Sequence, residues 1–125
     1  MATKAVLKLT QVHGVVKVRG TGSATIALAT DLKKSSETQS SPKANIRTLH
    51  WALAVDTTAT VTRNSVVLYY LSGSGKMEFM GWSDNEENGS DVVVDFSSGT
   101  GSVVIELAKI SGYGSQQHQN QGDLG

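Results

Sequence analysis

The sequence has no cysteine and one proline among 125 residues, and its basic and acidic side chains are equal in number, 11 of each. Without cysteine there is no disulfide, no thiol nucleophile and no thiolate metal ligand. A formal net charge of 0 gives no global field toward nucleic acid or anionic lipid. No apolar run approaches the roughly 20 residues of a membrane-spanning helix, and the N-terminal residues lack a secretion signal. We expect one soluble domain made without export, with neither nucleic acid nor membrane as its partner.

Apolar residues recur mostly at every second position, and valine, threonine, serine and glycine are abundant, which predicts an all-β chain. The first two strands present apolar faces formed by Ala5, Leu7 and Leu9 and by Val16 and Val18. Gly20-Thr21-Gly22 is predicted to join the second strand to a third at residues 24–28. Glycine accepts the positive φ angles that such a tight hairpin turn requires.

The later strands are predicted at residues 46–53, 59–63, 66–71, 76–80, 92–96 and 102–110. Asn64-Ser65 would turn one hairpin, and Gly99-Thr100-Gly101 would turn the last. Residues 30–43 are rich in serine, threonine, lysine and glutamine and are predicted to form a long polar surface loop. About nine short strands result, which favours an antiparallel β-sandwich, with the jelly roll as one candidate topology.

One internal similarity links residues 20–29 (GTGSATIALA) to residues 99–108 (GTGSVVIELA), with seven of the ten positions identical. Each segment follows a valine-rich strand, so the shared unit is interpreted as a whole hairpin. Either two hairpins with similar turns have converged on similar residues, or they hold equivalent places in a pseudo-symmetric sandwich. Two copies are too few for a solenoid or a propeller.

Residues 84–91 (DNEENGSD) resemble the first half of a calcium-binding loop, because oxygen ligands recur at every second position and glycine is sixth. The twelfth position is Asp95 instead of glutamate, and it falls inside a predicted strand. Asn-Gly turn chemistry accounts for the same residues. We predict a polar turn, with a weakly held cation as the alternative.

No catalytic or cofactor-binding constellation emerges from the sequence. The three histidines, His13, His50 and His118, do not have the spacing of metal ligands. Gly73-Ser74-Gly75 would be a hairpin tip, without the helix that a nucleophile elbow needs. The glycine-rich turns lack the Gly-Lys-Ser ending of a phosphate loop. We therefore expect no catalytic residue, no metal, no cofactor and no enzymatic activity.

Aromatic side chains could form a sugar-stacking platform, which would make the chain a carbohydrate-binding module. The candidates are Trp51, Trp82, Tyr69, Tyr70 and Tyr113. Tyr69 and Tyr70 face opposite sides of one predicted strand, so at most one of them can be exposed while the other packs inward. Core or interface aromatics are the favoured interpretation.

Residues 1–111 are predicted to form the folded domain, and residues 112–125 an extended polar C-terminal arm. A segment of this composition buries too little apolar area to order itself, and such segments fold on docking to another chain. Lys33, Lys34 and Lys43 form a modest basic patch on the predicted loop. The residues expected to contact a partner are Lys33, Lys34, Tyr113, Gln116, Gln117, His118 and Leu124.

Three segments in the second half of the chain read TVTRNSVV (residues 60–67), GWSDNEEN (81–88) and LAKISGY (107–113). In them the chain resembles the small virion structural proteins of tailed phages that infect marine cyanobacteria. The resemblance implies a non-enzymatic virion component, made in the host cytoplasm and homo-oligomeric within a symmetric particle. A capsid decoration or cement protein on the major capsid protein is expected, with a neck or tail component as the alternative. These motifs are structural turns and transfer no functional residue.

Overall fold

The computed structural model describes residues 2–34, 38–79 and 83–114. Within them the chain forms one antiparallel sheet of seven strands and one helical turn, which confirms the predicted all-β class. In chain order the elements are β1 (Thr3–Leu9), β2 (His13–Ile26), α1 (Leu28–Asp31), β3 (Thr38–Leu53), β4 (Thr58–Arg63), β5 (Val66–Ser72), β6 (Ser74–Glu78) and β7 (Val92–Gly114). No helix of the described residues is long and apolar enough to span a membrane.

The long strand β2 pairs along its whole length with residues 92–108 of β7, and the register shift between Gly20 and Gly22 separates two halves of the sheet. In the first half the strand order is β1-β2-β7-β3-β6. In the second half the end of β2 and the start of β7 continue into β4 and then β5. The outer strands are therefore β1 and β6 in the first half, and β5 and the end of β2 in the second half.

The glycine triplets do not turn hairpins, and this corrects the strand count predicted from the sequence. The strands β2 and β7 continue without interruption across Gly20-Thr21-Gly22 and Gly99-Thr100-Gly101. Gly20 lies opposite Gly101, and the register shifts between Gly20 and Gly22, where φ is 119° and 78°. The triplets therefore supply a bulge at which two paired strands bend together.

The internal repeat has the same explanation. Its two copies belong to strands that pair with each other, not to two separate hairpins. Glycine is needed at position 101 because there is no room for a side chain: a Cβ there would lie 2.4 Å from Cδ2 of Leu53. The two strands bend at the same place, and each has small residues there, just before its next buried segment. A pseudo-symmetric pair of hairpins is therefore wrong.

The predicted long loop at residues 30–43 is also wrong in its second part. Residues 38–43 belong to β3 and pair with the end of β7, with Gln39 opposite Tyr113 and Lys43 opposite Ser111. The strand β7 itself continues through Gly112 to Gly114, past the boundary expected at residue 111. Backbone pairing with a neighbouring strand gives this polar segment its strand conformation.

One hydrophobic core joins the two halves of the sheet. Its fully buried members in the first half include Val16, Val18, Ile46, Leu49, Val103, Ile105 and Leu107, and in the second half Ile26, Val61, Val92 and Val94. A bulge between Ile46 and Thr48 lets both Ile46 and Leu49 face this core. The predicted hairpin at Asn64-Ser65 is confirmed, with φ near 51° and 62° at the two turn residues.

Candidate interaction surface

The residues predicted to contact a partner are only partly covered by the described structure. Lys33 and Lys34 follow α1 and are half-buried. Tyr113 lies in β7, where its backbone is opposite Gln39 of β3. Gln116, Gln117, His118 and Leu124 lie outside the described residues. The structure therefore places Lys33 and Lys34 after α1 and Tyr113 in the last part of β7.

A buried arginine, which the sequence reasoning did not single out, organises the acidic segment. Arg63 is completely buried at the end of β4. Its guanidinium donates to the carbonyl oxygens of Ala44 at 2.7 Å, of Asn88 at 3.0 Å and of Ser90 at 2.7 and 3.0 Å. Arginine has five N–H donors in a fixed fork, which suits it to gather several carbonyls. Residues 84–91 are therefore fastened to β3 and β4.

The acidic side chains of this segment are engaged by neighbouring donors. The Tyr69 hydroxyl and the backbone N–H of Glu86 donate to the Asp84 carboxylate. Asp91 accepts the backbone N–H of Leu28 at 2.9 Å. Burial raises the pKa of the Tyr69 hydroxyl, and its hydrogen bond to Asp84 raises the pKa further. In the part of the chain that the structure describes, no cluster of three His, Asp or Glu side chains could hold a metal ion.

The two histidines within the described residues stand apart. His13 Nε2 lies 2.7 Å from Nη1 of Arg47. Because a guanidinium only donates, the His13 nitrogen is the acceptor in this contact. His50 is exposed on the outer face of β3. The pair therefore shares no site.

The aromatic residues divide as the sequence predicted for β5. Tyr69 packs against the core, with its ring 6.3 Å from that of Phe79, whereas Tyr70 is 80% exposed. The Trp51 indole donates to the Ser72 carbonyl at 3.0 Å and lies against Gly75, where a Cβ would come within 2.7 Å of the ring. Tyr70 is thus the exposed ring on this strand.

The outer edge of β5 is an uncharged strand edge with exposed apolar side chains. Within the described residues this strand pairs with β4 alone, which leaves its other edge without a strand partner. All seven residues are uncharged, and Val66, Val67 and Tyr70 are 39%, 38% and 80% exposed. An uncharged strand edge is a template for another strand, and on this edge the Ser72 carbonyl already accepts from Trp51. We define the β5 edge as residues Val66–Ser72.

Beside the β5 edge, the outer face of β4 and β5 forms a shallow depression of about 270 Å³. It is lined by Thr58, Ala59, Thr60, Tyr70, Leu71 and Ser72. The hydroxyl of Thr58 bonds to that of Ser97 at 2.6 Å, so the wall on the β7 side is fixed. This surface can receive a side chain from a partner that lies along β5.

A second, open groove of about 580 Å³ lies on the first half, where β2 and β7 bend. Its floor is made of small residues, among them Gly20, Ala52 and Gly101, and its positive charges are Lys17 and Arg19. Lys17 and Arg19 lie opposite Val104 and Ser102 of β7, so no carboxylate faces them across that strand pair. The groove can accept an acidic side chain but does not enclose a small ligand.

These three features, an uncharged strand edge, a threonine-lined depression and a cationic groove, are surfaces whose chemistry can accept another molecule. The polar groups around Arg63 and Asp84 are used to hold a segment in place. Comparisons with protein-family models, with curated proteins and with solved structures give no match to this chain.

Proposed function

We propose that this protein is a non-enzymatic structural component that builds onto other proteins through its β5 edge. The observation that carries the proposal is the exposure of an uncharged strand edge on an otherwise well-packed sheet. Exposed edges of this kind are normally covered or charged, because they recruit further strands. An edge left open is suited to strand addition, in which main-chain hydrogen bonds supply affinity.

The place we propose for it is the surface of a tailed-phage particle, as a capsid decoration or cement protein on the major capsid protein. The family resemblance of residues 60–67 supports this location, and these residues include the turn that leads into β5. The alternative is a neck or tail component, which would use the same edge. In this proposal the two halves of the sheet act as the layers of a β-sandwich, with the jelly roll as the candidate topology.

The polar contacts that hold the inner side of β5 in place support such a role. Arg63 ties residues 84–91 to β3, and Tyr69 of β5 is bonded to Asp84 of the same segment. The β5 edge is therefore held by polar contacts at its inner side and presents a preformed contact surface. In the proposal Lys33, Lys34, Tyr113 and the residues beyond 114 add a second contact to the particle.

A carbohydrate-binding module is a second candidate, favoured by one observation. Tyr70 is highly exposed beside the threonine-lined depression, an arrangement in which a sugar ring could stack and find hydroxyl partners. A glycan array separates the candidates. Binding that is lost in Tyr70→Ala but kept in Tyr113→Ala would favour the module over the particle component.

The proposal is tested on purified particles. Quantitative mass spectrometry of gradient-purified virions from the system that encodes the chain should find it in a fixed copy number per capsid. The isolated chain, added to particles stripped of it, should return to them and should return less in a Val67→Lys variant. A Leu7→Lys variant on β1 is the matched control, since Leu7 is also an exposed strand residue. Absence of the chain from purified particles would overturn the proposal.

A further inference from the structure

We propose that the occupant of the β5 edge is the β5 edge of a second copy of this chain, paired antiparallel about a two-fold axis. The inference rests on the proposed function, because it names the partner of the same edge. Two-fold pairing of one strand with itself is self-complementary by construction, so it needs no second matching surface. The joined strands would extend the second half of one sheet into that of the other.

Charge is the first argument for a second copy. When identical strands pair about a two-fold axis, any charge on the edge meets its own kind. β5 has no charged residue along its seven positions, so self-pairing opposes no like charges. β1 is different, since a register centred on Val6 would set Lys4 of each copy against Lys8 of the other. Of these two outer strands, β5 is the one whose charge pattern permits a copy of itself.

The direction of the side chains is the second argument. Val67 lies opposite Thr62 and Tyr70 opposite Thr60, on the face away from buried Val61. A bulge at Leu68 brings Val67 and Tyr70 to the same outer face although they are three residues apart. In the register that sets Val67 against Tyr70 of the other copy, two aromatic–β-branched pairs form, which are favourable across antiparallel strands.

The third argument is the surface next to the edge. The depression beside Tyr70 is lined by the hydroxyl-bearing residues Thr58, Thr60 and Ser72 and lies on the same outer face. In the two-fold arrangement each copy would bring its Tyr70 toward the β5 strand of the other. A tyrosine suits such a place because its ring buries apolar area while its hydroxyl bonds to a polar rim.

The size of the contact sets its strength. One pair of seven-residue strands falls below the roughly 1,200 Å² of total buried surface typical of stable complexes. The isolated dimer should therefore be weak and form at high protein concentration. Copies held side by side on a particle have a high effective concentration, which converts a weak contact into a stable one.

The experiment is sedimentation velocity of the full chain over a concentration series from about 10 μM to 1 mM, bracketing the weak-affinity range. A monomer–dimer equilibrium is expected. Val67→Lys should weaken the dimer at least about tenfold, because it removes both Val67–Tyr70 pairs of the proposed register and places a charge on each of the two pairing strands. Leu7→Lys, on β1, should leave the dissociation constant unchanged. Circular dichroism of each variant checks the fold, and Tyr70→Lys replaces Val67→Lys should the latter fail to fold.

A chain that stays monomeric at the highest concentration overturns the inference, and so does a dimer that Val67→Lys leaves intact. Formation of a stable complex only with a strand of another protein also overturns it. The proposed function fails by a different result, namely absence from purified particles. A monomer found in particles therefore removes the second copy alone, and a dimer absent from particles removes the particle role alone.

Discussion

Two of the outer strands, β1 and β5, have the same length, seven residues, and opposite chemistry. β1 carries Lys4 and Lys8 and has a bulge between Val6 and Lys8. Lys4 lies opposite core residue Val18, and its ammonium group reaches Asp31 at 2.6 Å and the Thr25 carbonyl at 2.8 Å. β5 carries no charge and exposes Tyr70. β1 therefore has the lysines and the inward-directed charge that discourage strand addition, whereas β5 lacks both.

When a sequence offers no chemical site, the charge on its strand edges indicates which edge can pair with a partner. Both strands expose apolar side chains, Val6 and Leu7 in β1 and Val66, Val67 and Tyr70 in β5. Apolar exposure alone would rank them as equals. Charge on the edge separates them, because a partner strand must approach the backbone closely enough to hydrogen-bond.

The largest loss of stability is expected from substitutions in the core that the two halves of the sheet share. Ile105 is fully buried in the first half and Ile26 in the second. Replacement of either by aspartate places an unpaired charge in the core, so we expect a loss of at least about 4 kcal/mol in the free energy of unfolding, or no soluble protein. Urea titration measures it, with Val104→Asp and Thr25→Asp as controls one residue away. Wild-type stability in either core variant would mean that the assigned register is wrong.

The next largest loss of stability is expected from replacing Arg63. This residue belongs to the β4–β5 hairpin of the second half, and it bonds to β3 of the first half. Arg63→Met removes the donors to three carbonyls of β3 and of residues 84–91. The Ala44 and Ser90 carbonyls lose these donors, whereas the Asn88 carbonyl still accepts the backbone N–H of Ala44, and we expect a cost of about 3 kcal/mol even though methionine fills much of the volume. Arg19→Met, at an exposed position of β2, should change stability by less than about 0.5 kcal/mol. Equal midpoints for the two variants in urea would show that Arg63 does not hold the segment.

These predictions rest partly on features that the sequence made plain. Asn64-Ser65 predicted a two-residue hairpin because few residues accept two successive positive φ angles. The alternation of Tyr69 and Tyr70 predicted one inward and one exposed ring, as the structure has it. Local conformational rules decide both features, so a short stretch of sequence is enough.

Other features depend on distant partners and could not be predicted in this way. Gly20 and Gly101 read as turn residues, yet they lie opposite each other and let two strands bend, and a glycine chosen for space looks like one chosen for φ. Residues 38–43 read as a loop because their pairing strand lies about seventy residues away in sequence. Arg63 was the missed signal: it continues the inward alternation of Ala59 and Val61, and a charge at an inward position demands buried partners.

A moderate effect tests how β5 is fastened on its inner side. Tyr69→Phe removes the hydrogen bond to Asp84 and should lower the free energy of unfolding by about 1–2 kcal/mol at neutral pH. Tyr70→Phe, at the exposed neighbour, should have almost no effect. The comparison uses chemical denaturation of the three proteins, and equal losses for both variants would contradict the assigned facing of the strand.

The same pair of variants gives a pH signature. The folded-state pKa of Tyr69 is raised above the ordinary value of 10.0, so the folded chain keeps this proton where the unfolded chain loses it. The contribution of Tyr69 is therefore complete below about pH 10 and declines as the pH rises through the unfolded-state value. The stability difference between wild type and Tyr69→Phe should narrow above pH 10, and a difference that widens there would refute the hydrogen bond.

The smallest expected effect concerns the charges on β1. Lys4→Val loses a partly exposed ion pair with Asp31, which should cost less than about 1 kcal/mol and shrink further at high salt. Asp31 keeps its other bond, to the backbone N–H of Ala27 at 2.8 Å, so α1 should persist. Stability should therefore barely distinguish this variant from wild type.

Association is where the change on β1 should be visible. A double variant, Lys4→Val with Lys8→Val, turns β1 into an uncharged edge like β5, and we expect it to self-associate more than wild type in sedimentation velocity. Combining it with Val67→Lys isolates the new edge, because charge then blocks β5. If association persists in the triple variant, then Lys4 and Lys8 prevent β1 of the wild-type chain from pairing with a strand of another copy. A triple variant as monomeric as Val67→Lys alone would assign that protection to the bulge between Val6 and Lys8, and charge would no longer be what distinguishes the two outer strands.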